Sequence, residues 1–201
     1  MKTALRSVLV SLALLPGAAF AHTGAGHAHG FVQGFAHPIG GLDHLLAMVA
    51  VGLFAAYLGG RALWLVPATF VGVMALGGLL GVSGAALPYV ELGIALSVVV
   101  LGLLVALRWN FPVAGAMAIA AVFAVFHGYA HGTELPENAS GLAYGIGFMI
   151  ATAVLHLAGI AIGLAFASRG TGNLGRRLVQ TGGGAIALAG VVIAAQAITS
   201  F

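Results

Sequence analysis

The side chains able to do chemistry in this 201-residue chain are its eight histidines and four acidic residues. His127 and His131 are four residues apart, so on a helix they share one face, and Glu134 follows three residues later. His37 precedes a second pair, Asp43 and His44. Neutral imidazole suits nickel, copper, iron and zinc, and carboxylate adds negative charge for a divalent cation. The sequence therefore predicts a metal site with ligands drawn from His37, Asp43, His44, Glu91, His127, His131 and Glu134.

Each of these residues also has a plainer interpretation. Asp43 can be a charge favoured by the N-terminus of a helix, and Glu134 a solvated loop residue. Glu91 can bond to neighbouring backbone within its span. Asp43 and His44 point to different sides of an ideal helix, although Gly40-Gly41 just before them can unwind the backbone.

Further histidines are weaker candidates. His22, His27 and His29 form a short His-rich tract of the kind that collects metal, with an unstructured tail as the alternative. His156 lies alone in an apolar run, where it is either a transit site or a hydrogen-bonded packing residue.

The elements that carry these residues belong to a membrane protein. Hydrophobic residues make up 61% of the chain and charged residues 5%, against about 25% charged in soluble domains. The absence of cysteine excludes disulfides and thiolate ligands. Seven scattered basic residues form no nucleic-acid footprint. We predict an all-α fold, a polytopic membrane helix bundle in the lipid bilayer.

The N-terminus has the pattern of a signal peptide. Lys2 and Arg6 precede a short apolar stretch, and Ala19-Phe20-Ala21 resembles a cleavage site. We predict a signal peptide over 1–21, an external His-containing tail over 22–36 and a transmembrane domain over 37–201. An uncleaved first membrane helix is the alternative.

Six runs have the length and apolar character of a membrane span. They are Leu42–Leu58, Ala62–Val82, Pro88–Leu107, Pro112–His131, Leu142–Ala167 and Leu178–Ile198. Arginines fall only in the first, third and fifth connectors, at Arg61, Arg108, Arg169, Arg176 and Arg177. Because basic residues concentrate in cytoplasmic loops, both mature termini are predicted on the external side of a bacterial inner membrane. The candidate ligands then converge at the external side.

Small residues spaced four apart predict close helix contacts. The pairs are Gly77/Gly81, Gly141/Gly145 and Gly159/Gly163.

Two motifs resemble the HupE/UreJ family of hydrogenase- and urease-associated membrane proteins. They are the twelve residues from His37-Pro38-Ile39-Gly40-Gly41 to Met48, and Phe126-His127-Gly128-Tyr129-Ala130-His131-Gly132-Thr133-Glu134. The resemblance implies a nickel permease, with cobalt as an alternative substrate. It also implies functional roles for His37, Asp43, His44, Glu91, His131 and Glu134, and it adds Phe70 as a functional aromatic.

The favoured hypothesis is a permease that imports nickel or cobalt ions and has no enzymatic activity or prosthetic group. The alternatives are a non-transporting metal sensor or maturation factor, and a membrane metallohydrolase. No phosphate-binding loop is present, so ATP-driven transport would need a partner. A homo-oligomer or a metallochaperone partner fits the favoured hypothesis.

Overall fold

The computed structural model describes residues 30–135, 139–168 and 172–199. In this part of the chain all regular structure is helical. The helices are α1 (Gly30–Gly40), α2 (Leu42–Leu58), α3 (Ala62–Val82), α4 (Val90–Leu107), α5 (Val113–Thr133), α6 (Ala139–Ser168) and α7 (Gly172–Thr199). The predicted signal peptide, His22, His27, His29 and Arg169 lie outside the described residues.

The predicted helical membrane bundle is confirmed. Helices α3 to α7 are long and apolar enough to span a membrane, and the bent pair α1–α2 would make a sixth span. A 21-residue helix such as α3 is about 31 Å long, which matches a hydrocarbon core of about 30 Å.

Helix α1 is not indicated by hydropathy. It begins at Gly30, inside the segment predicted as tail, and its axis lies at 79° to that of α2. The break falls at Gly41, whose backbone is extended. Helix α1 packs against α6, where Gly34 meets the backbone of Tyr144 and Gly147 meets that of Phe31.

Helix α2 is the centre of the bundle and contacts each of the other six helices. Its own side chains are apolar around most of the helix, as expected of a helix packed among others. Ala47, Met48, Ala50 and Val51 are fully buried. The middle of α2 is therefore held by protein on every face, whereas Leu42 at its start is exposed.

Glycines allow the other helices to pair closely, because a missing side chain lets backbones approach. Gly77 and Gly81 of α3 meet the backbone of α5, and Gly159 meets that of α2, as predicted from their spacing. Gly145 is different: a Cβ there would contact nothing within 4 Å. The contacts of Gly77 with Val125 and of Gly81 with Tyr129 show that α3 and α5 run parallel.

Candidate metal centre

The two ends of the bundle differ in their polar residues. At one end, which we call the histidine end, the first turn of α2 meets the last turns of α5. At the other, the arginine end, Arg61 precedes α3, Arg108 follows α4 and Arg176 lies in the first turns of α7. Tyr57 donates a hydrogen bond to the Arg108 carbonyl at 2.5 Å there.

Four imidazoles form one cluster at the histidine end: His37, His44, His127 and His131. The ring centroids of His44 lie 4.6 Å from those of both His127 and His131. The His37 ring lies 4.8 Å from His131. Phe148 of α6 covers His131, with 4.1 Å between ring centroids. We call these four residues the histidine cluster.

Asp43 and His44 lie in the first turn of α2, directly after the helix break at Gly41, and their side chains contact each other. The Asp43 carboxylate accepts the His44 backbone N–H at 2.8 Å and lies 3.0 Å from the His44 ring Nδ1. A Cβ at Gly41 would stand 3.0 Å from that carboxylate, so glycine leaves it room. The first turn of α2 thus joins two side chains that an ideal helix would separate.

The hydrogen bonds around Asp43 assign protons to the rings. Because an ionised carboxylate only accepts, the contact with Asp43 places a proton on His44 Nδ1, and in the neutral form of that ring the lone pair lies on Nε2. His131 Nε2 lies 2.7 Å from that atom, and with His44 in this form it donates to it. His131 Nδ1 is then the unprotonated nitrogen. It is buried without a hydrogen-bond partner in the described part of the chain.

The free nitrogen of His131 faces other ligands. Its Nδ1 lies 3.7 Å from Glu134 Oε2, and His37, His131 and Glu134 offer ligand atoms within 4.8 Å of one another. Ligands about 2.1 Å from a metal are separated by about 3 to 4 Å, so these side chains need to close by about 1 Å each to share an ion. Chemically, the arrangement is suited to a divalent transition metal.

His127 has a comparable arrangement one turn deeper in α5. Ser97 of α4 donates its only hydroxyl proton to the Ile94 carbonyl at 2.5 Å, and its oxygen lies 2.8 Å from His127 Nε2. His127 Nε2 therefore donates to Ser97, and Nδ1 is the free nitrogen. That Nδ1 is also buried and without a partner among the described residues.

Not every predicted ligand joins the cluster. Glu91 is exposed in the first turn of α4, and the hydrogen bonds and ring contacts of the cluster do not involve it. His156 and Phe70 lie further toward the arginine end, where Phe70 contacts His127 at 5.6 Å between ring centroids. The roles of all these residues stay predictions.

Sequence reasoning missed Ser97 and Phe148. Ser97 is the only hydroxyl-bearing residue of α4, and a single serine in an otherwise apolar span is a usable signal for a buried polar partner. Nothing in the sequence marks Phe148 among the eleven phenylalanines.

Comparison with known proteins agrees with the two motifs. The HupE / UreJ protein family model matches residues 10–193. The chain is 48% identical over 187 residues to Protein HupE of Rhizobium leguminosarum bv. viciae, and the alignment covers 93% of this chain and 95% of that protein. No solved structure matches the chain.

Proposed function

This chain belongs to the HupE/UreJ family of hydrogenase- and urease-accessory membrane proteins, and on that premise we propose that it is a permease for a divalent transition-metal ion. Nickel is the proposed substrate because it fits both the family and the donor set, with cobalt as the nearest alternative. We propose no enzymatic activity.

One observation carries this proposal. The unpartnered Nδ1 of the buried His131 lies 3.7 Å from Glu134 Oε2, and His37, His131 and Glu134 offer ligand atoms within 4.8 Å of one another. A buried nitrogen without a partner destabilises a fold, and buried polar groups within spans mark ion pathways. A metal ion would supply the missing partner.

Charge favours entry at the histidine end. The described arginines lie at the arginine end, which the positive-inside rule assigns to the cytoplasm. We therefore propose that the histidine end faces the periplasm in an inner membrane, with both termini of the mature chain on that side. Import would run from Glu134 toward the arginine end.

Asp43 has a positioning role in this proposal. It holds the proton on His44 Nδ1, which directs the His131 proton to Nε2 and leaves His131 Nδ1 free for metal. Asp43 thus acts through two rings rather than as a direct ligand. The ion would pass from His131 to the free nitrogen of His127.

The second candidate is a metal sensor or maturation factor that binds metal without transporting it. The same cluster supports binding equally well. The two proposals differ only in whether metal crosses the membrane.

The test is nickel influx into proteoliposomes that contain a metal-sensitive dye. We expect saturable influx in the wild type and at least a tenfold loss in His131→Ala, which removes the central ligand. Thr133→Ala is the matched control, because the exposed Thr133 hydroxyl only donates to the Ala130 carbonyl of its own helix.

Competition with cobalt, zinc and copper would rank the substrates. Metal binding by correctly inserted wild type without influx would refute the permease and favour the sensor. Equal loss in both variants would show that the assay reports general damage to α5.

A further inference from the structure

His156 is the polar residue of α6 that the histidine cluster leaves unexplained. Its side chain is 1% exposed, and neither ring nitrogen has a hydrogen-bond partner in the described part of the chain. A neutral imidazole always has one donor and one acceptor. Both are unsatisfied here, which is a cost to the fold that packing alone does not explain.

The position of His156 places it on the way from the cluster to the arginine end. Gly52 of α2 packs on the His156 carbonyl oxygen. His44 is eight residues before Gly52, which corresponds to about 12 Å along the helix. The backbone of His156 therefore lies about two fifths of the hydrocarbon thickness deeper than that of His44.

Phe70 separates the two levels. Its fully buried ring lies 5.6 Å from the His127 ring and 5.2 Å from the His156 ring, measured between centroids. The three side chains come from α3, α5 and α6, and the Phe70 ring contacts both imidazoles. An ion that passed from His127 to His156 would therefore move along the Phe70 ring.

Two neutral polar side chains lie one helical turn from His156 and Phe70, namely Thr152 and Met74. Thr152, one turn before His156 on α6, donates its hydroxyl proton to the Met74 sulfur at 3.9 Å. The lone pairs of the Thr152 oxygen are therefore not used by that bond. Thr152 and Met74 are both buried.

We propose that His156 is a second, inner binding station for a divalent transition-metal ion, separated from the histidine cluster by the Phe70 ring. This inference rests on the proposed transport function and specifies its second step. Conduction requires sites that bind strongly enough for entry and weakly enough for release, and several sites in series meet both needs. His156 offers one imidazole without a carboxylate, so it would hold the ion more weakly than the cluster.

The experiment compares His156→Leu with His156→Gln. Leucine removes both nitrogens and replaces an unsatisfied polar group with an apolar one, so the melting temperature should stay equal or rise. Glutamine keeps an oxygen donor on a chain of similar reach. We expect His156→Leu to lose influx by roughly tenfold or more, and His156→Gln to be intermediate.

Binding measurements distinguish the inner station from the cluster. In equilibrium dialysis with nickel alone, the wild type should bind one additional ion compared with His156→Leu, and this ion should be held weakly. The affinity of the tighter site, the histidine cluster, should be the same in both proteins. Nickel influx through His156→Leu within twofold of wild type would overturn the proposal. So would an equal weakening of the tighter site in His156→Leu and His156→Gln. If the wild type proves not to transport, the stoichiometry still decides whether His156 binds metal.

Discussion

Replacing Ser97 with alanine tests whether a hydroxyl selects the metal-binding nitrogen of His127. In the wild type, the Ser97 oxygen lies 2.8 Å from His127 Nε2, we infer that it accepts the proton of that nitrogen, and both side chains are completely buried. Ser97→Ala leaves that N–H without an acceptor. The proton is then free to move to Nδ1, the nitrogen that we propose binds the ion.

Two magnitudes follow from this geometry. A buried donor without an acceptor costs about 1–3 kcal/mol in the free energy of unfolding. Loss of the partner that fixes a ligand's tautomer typically weakens metal binding by about 10–100-fold. Since a tenfold change corresponds to about 1.4 kcal/mol, the two losses are of similar size.

Three measurements on purified protein check the prediction. Thermal unfolding in detergent reports stability, and calorimetry with nickel reports affinity. Nitrogen-15 NMR of the labelled histidine rings reports the tautomer, which a purely structural role of Ser97 would not change. We expect the Nε2–H form in the wild type and a mixture in Ser97→Ala.

Two matched variants show whether the effect comes from the Ser97 hydroxyl group. Ser97→Thr keeps the hydroxyl and should retain the tautomer. Ser83→Ala removes an exposed serine hydroxyl and should change neither nickel affinity nor tautomer. An unchanged His127 tautomer and unchanged affinity in Ser97→Ala would refute the assignment.

Two further predictions concern packing and the proton relay. A Cβ at Gly128 would overlap a backbone carbonyl oxygen of α3, so Gly128→Ala should lower the free energy of unfolding by about 1–3 kcal/mol. Gly72→Ala, where a Cβ meets nothing within 4 Å, should leave the melting temperature equal or higher, and equal melting temperatures for the two variants would contradict the close approach. Asp43→Asn keeps the size of the side chain but weakens its hold on the His44 proton, so nickel affinity measured by calorimetry should fall about 10–100-fold. Wild-type affinity in that variant would show that His131 does not need the relay.

The long helices could be predicted from the sequence because a span must be continuously apolar for about 20 residues. The predicted run Ala62–Val82 coincides with α3, and Leu42–Leu58 with α2. Helix α1 was not predicted because it is only 11 residues long and contains three glycines and a proline. Its stability comes from packing on α6 rather than from its own propensity.

The sequence indicated which residues form the site but not which of them contact each other. The i, i+4 spacing placed His127 and His131 on one face of α5, and their rings both contact His44. The link from Asp43 through His44 to His131 depends on how α2 meets α5, which no local pattern encodes. Ser97 is reached only through the packing of α4 on α5.

The negative charge of the side chains along the proposed path decreases with depth in the bundle. The carboxylates of Asp43 and Glu134 are partly exposed or exposed, whereas the deeper His127 and His156 are almost completely buried imidazoles. Carboxylates would capture a hydrated dication at the entrance, but the same negative charge deeper in the bundle would hold the ion too tightly to release it.

Neutral ligands in the interior leave the dication uncompensated, which costs energy that the membrane potential can offset. Moving two charges through 100 mV is worth about 4.6 kcal/mol, at about 2.3 kcal/mol per charge. Only the voltage drop crossed before His156 counts toward reaching it. If metal enters at the histidine end as we propose, carboxylates there and imidazoles deeper in the bundle suit passive import driven by a potential negative inside, and we expect influx to rise with that potential.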